Sequence, residues 1–522
     1  MTSLTVALKM DFGGHILDEA SRFITDEADR YILDQSFFDV NADGDLLNTV
    51  PLSYRKGVMS NELPDRVGDV GTAVFGLNNS NRNSAGLAGY YSPEHGNVRA
   101  GFGLDTIIQI ELTGAATTIL DFRGRVSIID PEPGQYLSRV TNVTAEDWFG
   151  YATDTPLRGI TVQTSKRDDQ LLTTLLALAP VQPDATDFDT GDDTYTYALH
   201  TENSDSQSLI SVMQKITESG FGKLFVRGST TSAETLTYIN RTNTLLTSSP
   251  VATLDNSMTG LNITRNKRRR VKTVIVRTYP VQADSSDVVL WVSQQEIALT
   301  TGQSVEFDVF FRDPDGKAVR VAATSLLAAV AGTDFNFSSV SGSGSDLNSS
   351  LSVSYNLQAD IATVTLTNNS GSTGYLLVGY QIRGKATYIY EPHSSVVQTG
   401  QTTGETMLID MPYQDDVFVG DDIADLVATW YAVDQSYIDS VSFVGNTNDT
   451  LMGYALTVQP GDLIEITETQ TGITSGTYFV QGIEKNIQSG IIRVTWVTIP
   501  ANQISGVFIL DVSALDVDIL GA

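Results

Sequence analysis

The sequence predicts a mainly β, multidomain protein, and three observations predict it. Apolar and polar residues alternate in many short runs, among them GTAVFGL, SVEFDVFF, IATVTLTNN and IIRVTWVTI, which is the period of a strand with one buried face. Gly contributes 43 residues, and Ser, Thr, Asn and Val are abundant throughout, a composition that favours turns and strands over helices. A chain of 522 residues exceeds one ordinary core and divides into roughly three to five domains at about 100–200 residues each.

In chain order, residues 1–152 read as a β domain. Its strands lie near LTVALKM, NTVPLSYRKG, GTAVFGL, LDTIIQIEL, TILDFRGRVSII and SRVTNVTAED. The segment Asp18–Asp34 places Phe23, Ile24, Ala28 and Tyr31 at mixed spacings that fit a helix or an irregular strand and turn equally well. Between GTAVFGL and LDTIIQIEL runs a long polar loop, Asn78–Gly101, rich in Asn, Ser and Gly and carrying Tyr90-Tyr91 ahead of Ser92-Pro93. Such residues bond their own backbone or accept positive φ, and a long ordered loop in a compact domain is usually functional.

Residues 153–255 read as a small α/β module. KRDDQLLTTLLALA, Lys166–Ala179, has acidic residues in its first turn, a Leu face and Pro180 after it, the marks of a helix. A second helix spans Ser206–Ser219, with Leu209, Ile210, Met213 and Ile216 at helical spacing and Gly220 as its stop. GKLFVRG and TLTYINRT form a hairpin, and the link PVQPDATDFDTGDD reads as solvated. Residues 284–387 show strand alternation joined by Ser-Gly and Asn-Asn turns, which argues for a β-sandwich, with VSGSGSD as a loop tip. The sandwich reads as an insertion, because VKTVIVRTYPV and TYIYEP on either side of it suit neighbouring strands of one interrupted domain, 256–283 and 388–403. Residues 404–522 open with MLIDMPYQDD, continue with a helix near Val419–Tyr431, and close with strands SVSFVG, YALTV, DLIEIT, GTYFVQGIEKNI and IIRVTWVTI. There is no internal repeat of fixed period.

Sixty-two acidic residues against 32 basic give a formal charge of −30, which disfavours free association with nucleic-acid phosphates. The absence of cysteine excludes disulfides, thiolate zinc sites and a Cys nucleophile. MTSLTVALKMDFGG alternates instead of forming a continuous apolar run, and no stretch approaches the ~20 apolar residues of a spanning helix. We therefore expect neither a signal peptide nor a membrane span.

Catalytic chemistry has little support. His15, His95, His200 and His393 are scattered, read as exposed loop residues, and lack metal-ligand spacing. There is no nucleophile elbow, P-loop or dinucleotide fingerprint, so no catalytic, cofactor-binding or metal residue is assigned. Asp39, Asn41, Asp43, Gly44 and Asp45 match the start of a calcium loop, but position twelve is Val50 in place of the bidentate Glu; an ordinary Asp-Gly turn is the simpler reading. Asp187, Asp189, Asp192 and Asp193 read as a solvated acidic loop. Lys267–Lys272 is a basic cluster in an acidic chain and is expected to pair with acidic surfaces of neighbouring domains or subunits. On the C-terminal helix, Asp415, Asp416, Asp421, Asp422 and Asp425 complement the macrodipole while Ile423, Leu426, Val427 and Trp430 form the buried face.

The run from Tyr54 to Ile110 resembles the N-terminal domain of minor tail proteins of long-tailed bacteriophages, the tail-tip or baseplate hub family. The matching residues are Arg55, Glu62, Leu63, Asp65, Arg66, Gly71, Thr72, Ala73, Leu77, Asn78, Asn79, Tyr90, Tyr91, Pro93, Asn97, Val98 and Arg99. The resemblance continues through FRGRVSIIDPEPG and VTNVTAEDWFGYA and returns in IDMPYQDDVFVGDDIADLVATWY, NDTLMGYALTVQPGDLIEITETQTGITSGTYFVQGIEKNI and VTWVTIP. It implies two tube-like β-barrel domains, one at each end, that let three subunits form a pseudo-sixfold ring, with tail tube, distal tail, tape-measure and fibre proteins as partners. It also implies a place in the virion tail, assembly in the host cytoplasm, and passage of DNA without specific binding. A carbohydrate-binding adhesive protein and a tail-associated cell-wall hydrolase are the rival expectations.

Overall fold

The computed structural model describes residues 2–15, 33–34, 37–133, 139–157, 159–200, 207–246, 249–315, 320–434 and 437–501. Of the sequence expectations, Asp18–Asp34 apart from Leu33–Asp34, Gly134, Ser206 and residues 502–522 lie outside them.

The molecule is mainly β, and strands from the two ends of the chain join in one 13-stranded sheet. From the N-terminal side come Thr5–Asp11, Phe37–Asp39, Leu52–Gly57, Asp69–Asn78, Ile107–Gly114, Thr117–Pro131 and Val140–Glu146, and from the C-terminal side Tyr437–Val444, Leu463–Glu468, Ile473–Gln488 and Ile491–Pro500. Ala252–Asp255 and Gly260–Thr264 complete it. The seam is the antiparallel pairing of Leu52–Gly57 with Ile473–Gln488, in register from Leu52↔Ile487 to Gly57↔Gly482. One core lies beneath both halves: Leu8, Phe75, Ile110 and Phe122 share a cluster with Phe443, Ile483, Val494 and Trp496. Inward residues alternate along these strands, as in Ile107–Gly114, where half-buried and buried residues take turns, so the expected strands of both ends form where alternation placed them, with one exception.

That exception is YALTV, read as a strand and observed as part of a helix. Of the six helices among the described residues, α1 is Trp148–Asp154, α2 Asp168–Leu176, α3 Leu209–Ser219, α4 Arg241–Leu246, α5 Val417–Trp430 and α6 Asp449–Thr457. The α6 segment starts where Asn448 Oδ1 accepts the Leu451 N–H at 2.8 Å, and it buries Leu451, Met452, Ala455 and Leu456. That helical stripe and its N-cap outweigh the alternation of Tyr454, Leu456 and Val458.

Helices α1, α2 and α3 pack with the hairpin Lys223–Arg227/Thr235–Ile239 around Trp148, Leu171, Leu175, Val212, Ile216 and Leu224. The link expected to be solvated contributes a further strand, Ala185–Phe188, parallel to Thr235–Ile239. The strand is only four residues long, with the consecutive Thr186 and Asp187 both exposed, so it has no alternation to set it apart from a loop.

A three-stranded sheet follows, Val271–Thr278 between His393–Gln398 and Glu405–Met411, with α5 laid on it through Ile423, Ala424 and Val427 against Val274 and Val276. Leu426 and Trp430, expected to be buried with them, are half-buried. The inserted β-sandwich hangs from this sheet by a two-stranded stalk. Val281 pairs with Ile389, Tyr390 N donates to Pro280 O, and the ladder resumes at Thr278↔His393, so the flanking segments do pair, and the ladder extends past TYIYEP into HSSVVQ. Within the insertion, Ile361–Asn368 lies between Ser304–Phe310 and Leu351–Leu357, and Gln381–Ile389 pairs with Val288–Val292 and Ala322–Leu326. Leu290, Phe311, Phe337, Val364, Tyr380 and Ile382 fill the space between the sheets.

The α/β module contains a buried acid. Asp168, fully buried at the start of α2, accepts a hydrogen bond from Tyr195 Oη, and Gly191 and Gly220 lie so close that a Cβ on Gly220 would sit 2.6 Å from its Oδ2. Burial, opposed by the Tyr195 hydrogen bond, pushes its carboxyl up to about 7. Between about pH 4 and pH 7 the unfolded chain loses this proton and the folded chain keeps it, so this group makes stability fall as pH rises through that window. Asp168→Asn should therefore flatten the pH dependence of stability between pH 4 and pH 7, read from urea midpoints against pH; an unchanged slope would refute the assignment.

Candidate functional site

The strongest constellation sits at the seam between the two ends of the chain. Tyr54 and Lys56 point to the same side of Leu52–Gly57, Asp121 lies in Thr117–Pro131, and Lys485 lies in Ile473–Gln488. Lys56 Nζ donates to Asp121 Oδ1 at 2.6 Å, to Asp121 O at 2.7 Å and to Gln459 Oε1 at 2.7 Å. Lys485 Nζ donates to Asp121 Oδ2 at 2.5 Å, and Tyr54 Oη donates to the same oxygen. Asp121 and Lys485 are 0% exposed and Lys56 is 2% exposed. Burial alone would raise the Asp121 carboxyl, but Lys485 and Lys56 outweigh it and hold it well below the usual carboxylate range. Burial draws Lys56 down to about 8, against the attraction of Asp121, and burial followed by Asp121 drives the Tyr54 hydroxyl well above its ordinary value. Gln459 ties in the third element, because its Oε1 also accepts the Gly228 N–H of the α/β module at 3.1 Å. The arrangement offers no open face for a substrate; its chemistry is cohesion. Sequence reasoning missed it, although Asp121 inside the apolar run TILDF was a signal, since a charge there needs a buried partner.

The Asn78–Gly101 loop is anchored from within. Asp45, 0% exposed, accepts Ser84 N and Ser84 Oγ, both at 2.6 Å, and Tyr91 Oη at 2.6 Å. Asn79 Oδ1 accepts the Tyr91 N–H at 2.8 Å, and Asn79 Nδ2 donates to Ser92 Oγ at 2.6 Å. Arg99 donates to Tyr91 Oη at 3.1 Å and stacks over Phe12 at 3.7 Å. At the end of the loop Gly101 has φ +81°, and a Cβ there would lie 1.5 Å from Phe12 O, so only glycine closes it. Tyr91 is 0% exposed: it is an internal anchor of the loop. The large apolar side chains exposed here are Leu87, at 43%, and Leu104 just beyond the loop, at 65%.

The remaining candidates resolve into structural roles. In the Asp39–Asp45 segment, Asp39 Oδ1 accepts the N–H groups of Asn41 and Ala42 at 3.0 and 3.2 Å, Asn41 donates to Val6 O, and Asp45 serves the long loop, so the oxygens form a turn and do not converge. Among the described residues no group of three or more His, Cys, Asp or Glu side chains is placed to hold a metal ion. The acidic loop departs from the solvated expectation in part: Asp187 and Asp192 are exposed, while Asp189 and Asp193 are half-buried. Asp189 and Asp192 accept N–H groups of Asn240 and Thr242 at the start of α4, and Asp193 pairs with Arg241 at 2.9 and 3.1 Å. The N–H groups at the start of α4 and its first side chain, Arg241, draw these carboxylates in. The basic cluster pairs within the chain: Arg270 with Asp434, and Arg269 with Asp439 and Asn61. His200 is buried against the Tyr413 ring instead of exposed, whereas His95 and His393 are exposed. No helix among the described residues is long and apolar enough to cross a membrane.

Removing Asp121 leaves two buried ammonium groups unpaired, and breaking such a cluster costs about 3–5 kcal/mol. Asp121→Ala should destabilise by about that amount in chemical denaturation, and a loss under about 1 kcal/mol would refute the role given to the seam. Tyr91→Phe, which removes one hydroxyl shared by Asp45 and Arg99, should cost about 1–3 kcal/mol without altering the far-ultraviolet spectrum.

No family model matches the chain, and no curated protein matches it. Solved structures that align along nearly its whole length include three tail proteins. A tail protein from Neisseria meningitidis is 9% identical, with 95% of this chain and 96% of that chain covered and a TM-score of 0.43. The 43 kDa tail protein of prophage MuSo2 from Shewanella oneidensis is 7% identical, with 96% and 99% covered and a TM-score of 0.46. Prophage tail protein gp18 from Listeria monocytogenes is 7% identical, with 94% of each chain covered and a TM-score of 0.34. All three are described as tail proteins.

Proposed function

We propose that this chain is a structural subunit of a phage virion tail tip, a baseplate hub that continues or closes the tail-tube channel and anchors other tail proteins. The observation that carries the reading is that the two ends of the chain, which are the parts resembling the hub family, build one sheet and one core although Lys56 and Gln459 are 403 positions apart. A scaffold of that kind holds two strand sets from one chain in fixed relation, which a pseudo-sixfold ring of three subunits requires. Partners on this reading are two further copies of the chain, tail-tube and distal tail proteins, a tape-measure protein and fibres. DNA passes through without specific binding, in keeping with a charge of −30. The inserted sandwich, carried outward on its stalk, suits contact with fibres or other tail proteins.

Native mass spectrometry with negative-stain imaging tests it. We expect a trimeric ring with a central hole, alone or on addition of tail-tube protein; a monomer under both conditions overturns the reading. Leu104, exposed beside the anchored loop, is the contact we assign between copies, so Leu104→Glu should dissociate the ring while leaving the unfolding temperature of the chain within about 1 °C of the parent. A ring that survives Leu104→Glu moves the contact elsewhere.

A further inference from the structure

A small cavity of about 40 Å³ lies where the α/β module meets the seam, lined by Arg66, Phe221, Lys223, Trp430, Phe479 and Gln481 among others. Its charge is unbalanced. Lys223, 6% exposed at the start of Lys223–Arg227, has its ammonium 4.3 Å from the centre of the Phe479 ring. It has no hydrogen-bond or carboxylate partner among the described residues, and the charges acting on it, Arg66 and Arg227, are both positive. Arg66, also 6% exposed, gives Nη1 to the carbonyls of Phe221 and Gly222 and stacks on the Phe221 ring at 3.3 Å. Gln481 Oε1 is buried without a hydrogen-bond partner among the described residues. Arg241 on the rim is already neutralised by Asp193.

A buried ammonium without an anion is costly, and natural proteins pair such groups. Here burial, followed by Arg66 and Arg227, draws Lys223 down to about 7, so an anion entering the space it shares with Arg66 would restore its charge at neutral pH, whereas Arg66 already has Glu218 acting on it. We propose that this cavity is a carboxylate-binding site, in which Lys223 and the free edge of the Arg66 guanidinium hold the two oxygens and the aromatic walls receive the carbon next to them. The volume suits one carboxylate group and excludes an aromatic acid or a nucleotide. The carboxylate comes either from a small free acid or from an aspartate on an apolar peptide. Ile499 and Pro500 line the same cavity, and the sequence continues past Ala501 with Asp511, Asp516 and Asp518 set among apolar residues.

The test is thermal unfolding of the full chain in sodium acetate against sodium chloride at equal ionic strength. The proteins are the parent, Lys223→Met, and the full chain with Asp511→Asn, Asp516→Asn and Asp518→Asn together. A free-acid site predicts that acetate raises the parent's unfolding temperature by about 2 °C or more beyond chloride and that Lys223→Met abolishes the shift. An aspartate of the chain itself predicts no acetate effect on the parent, a lower unfolding temperature for the triple variant, and recovery by acetate of that variant alone. Lys223→Gln serves the same comparison if Lys223→Met fails to fold. Absence of an acetate-specific shift in both the parent and the triple variant overturns the proposal, whatever either Lys223 substitution does to stability.

Discussion

The fold depends on one buried carboxylate. Asp121 binds both Lys56 from the N-terminal strands and Lys485 from the C-terminal strands, and Gln459 extends the contact to the α/β module. Hydrophobic burial would hold these sheets together without choosing among alignments, because apolar contact is not directional. The ion cluster does choose. A one-residue slip of Leu52–Gly57 against Ile473–Gln488 would turn Lys56 to the opposite face and leave Asp121 and Lys485 mismatched. Desolvating three charges is unfavourable in itself, so the contribution of the cluster is to the register of the seam more than to its strength.

The same economy governs the long loop and the module. Asp45, Asn79 and Arg99 turn an Asn- and Gly-rich segment into an ordered surface by fixing Tyr91, whose hydroxyl meets both Asp45 and Arg99. Gly71 makes a related contribution on the neighbouring strand: a Cβ there would lie 2.3 Å from Asp147 Oδ2, the carboxylate that caps α1 through the Phe149 N–H. Several residues carrying the sequence resemblance, among them Gly71, Asn79, Tyr91 and Arg99, thus hold backbone in place. They shape the surfaces on either side of the seam and do not themselves form a chemical centre.

What could be read from the sequence was what repeats locally. Alternation located the strands of both ends, and helical spacing with a terminal Gly or Pro located α2 and α3 within a few residues. YALTV failed because five alternating residues cannot compete with an Asn cap and a four-residue apolar stripe that begin upstream of them. The acidic loop looked solvated because its partners, Asn240 to Thr242, lie far along the chain; the basic cluster was expected to pair with acidic surfaces and does so, but its partners, Asp434 and Asp439, are also distant in sequence and could not be named from it. For the same reason the seam was illegible: nothing near Lys56 in sequence signals a partner at Asp121, and nothing near either signals Lys485. Tyr91 was visible as an aromatic in a loop, but whether such a ring faces inward is decided by Asp45 and Phe102, which the sequence places on other segments.

These internal pairings bear on how the molecule meets a polyanion. Lys56, Lys485, Arg66, Lys223, Arg227 and Arg241 are buried or half-buried within the fold, and Arg269, Arg270 and Arg383 are joined to Asp439, Asp434 and Asp334. A substantial share of the 32 basic residues is therefore withdrawn from solvent or joined to a carboxylate at short range; their acidic partners are withdrawn with them, so the net charge stays negative while few unpaired cations project outward. At physiological ionic strength that field decays over about 8 Å, so it acts on a chain moving close to a wall and hardly at all across open solvent. On the proposed reading, a ring of such subunits repels a passing phosphate backbone over the last few ångströms and leaves it no array of exposed cations on which to settle. Passage without adhesion then follows from where the fold spends its lysines and arginines, as much as from how many aspartates it carries.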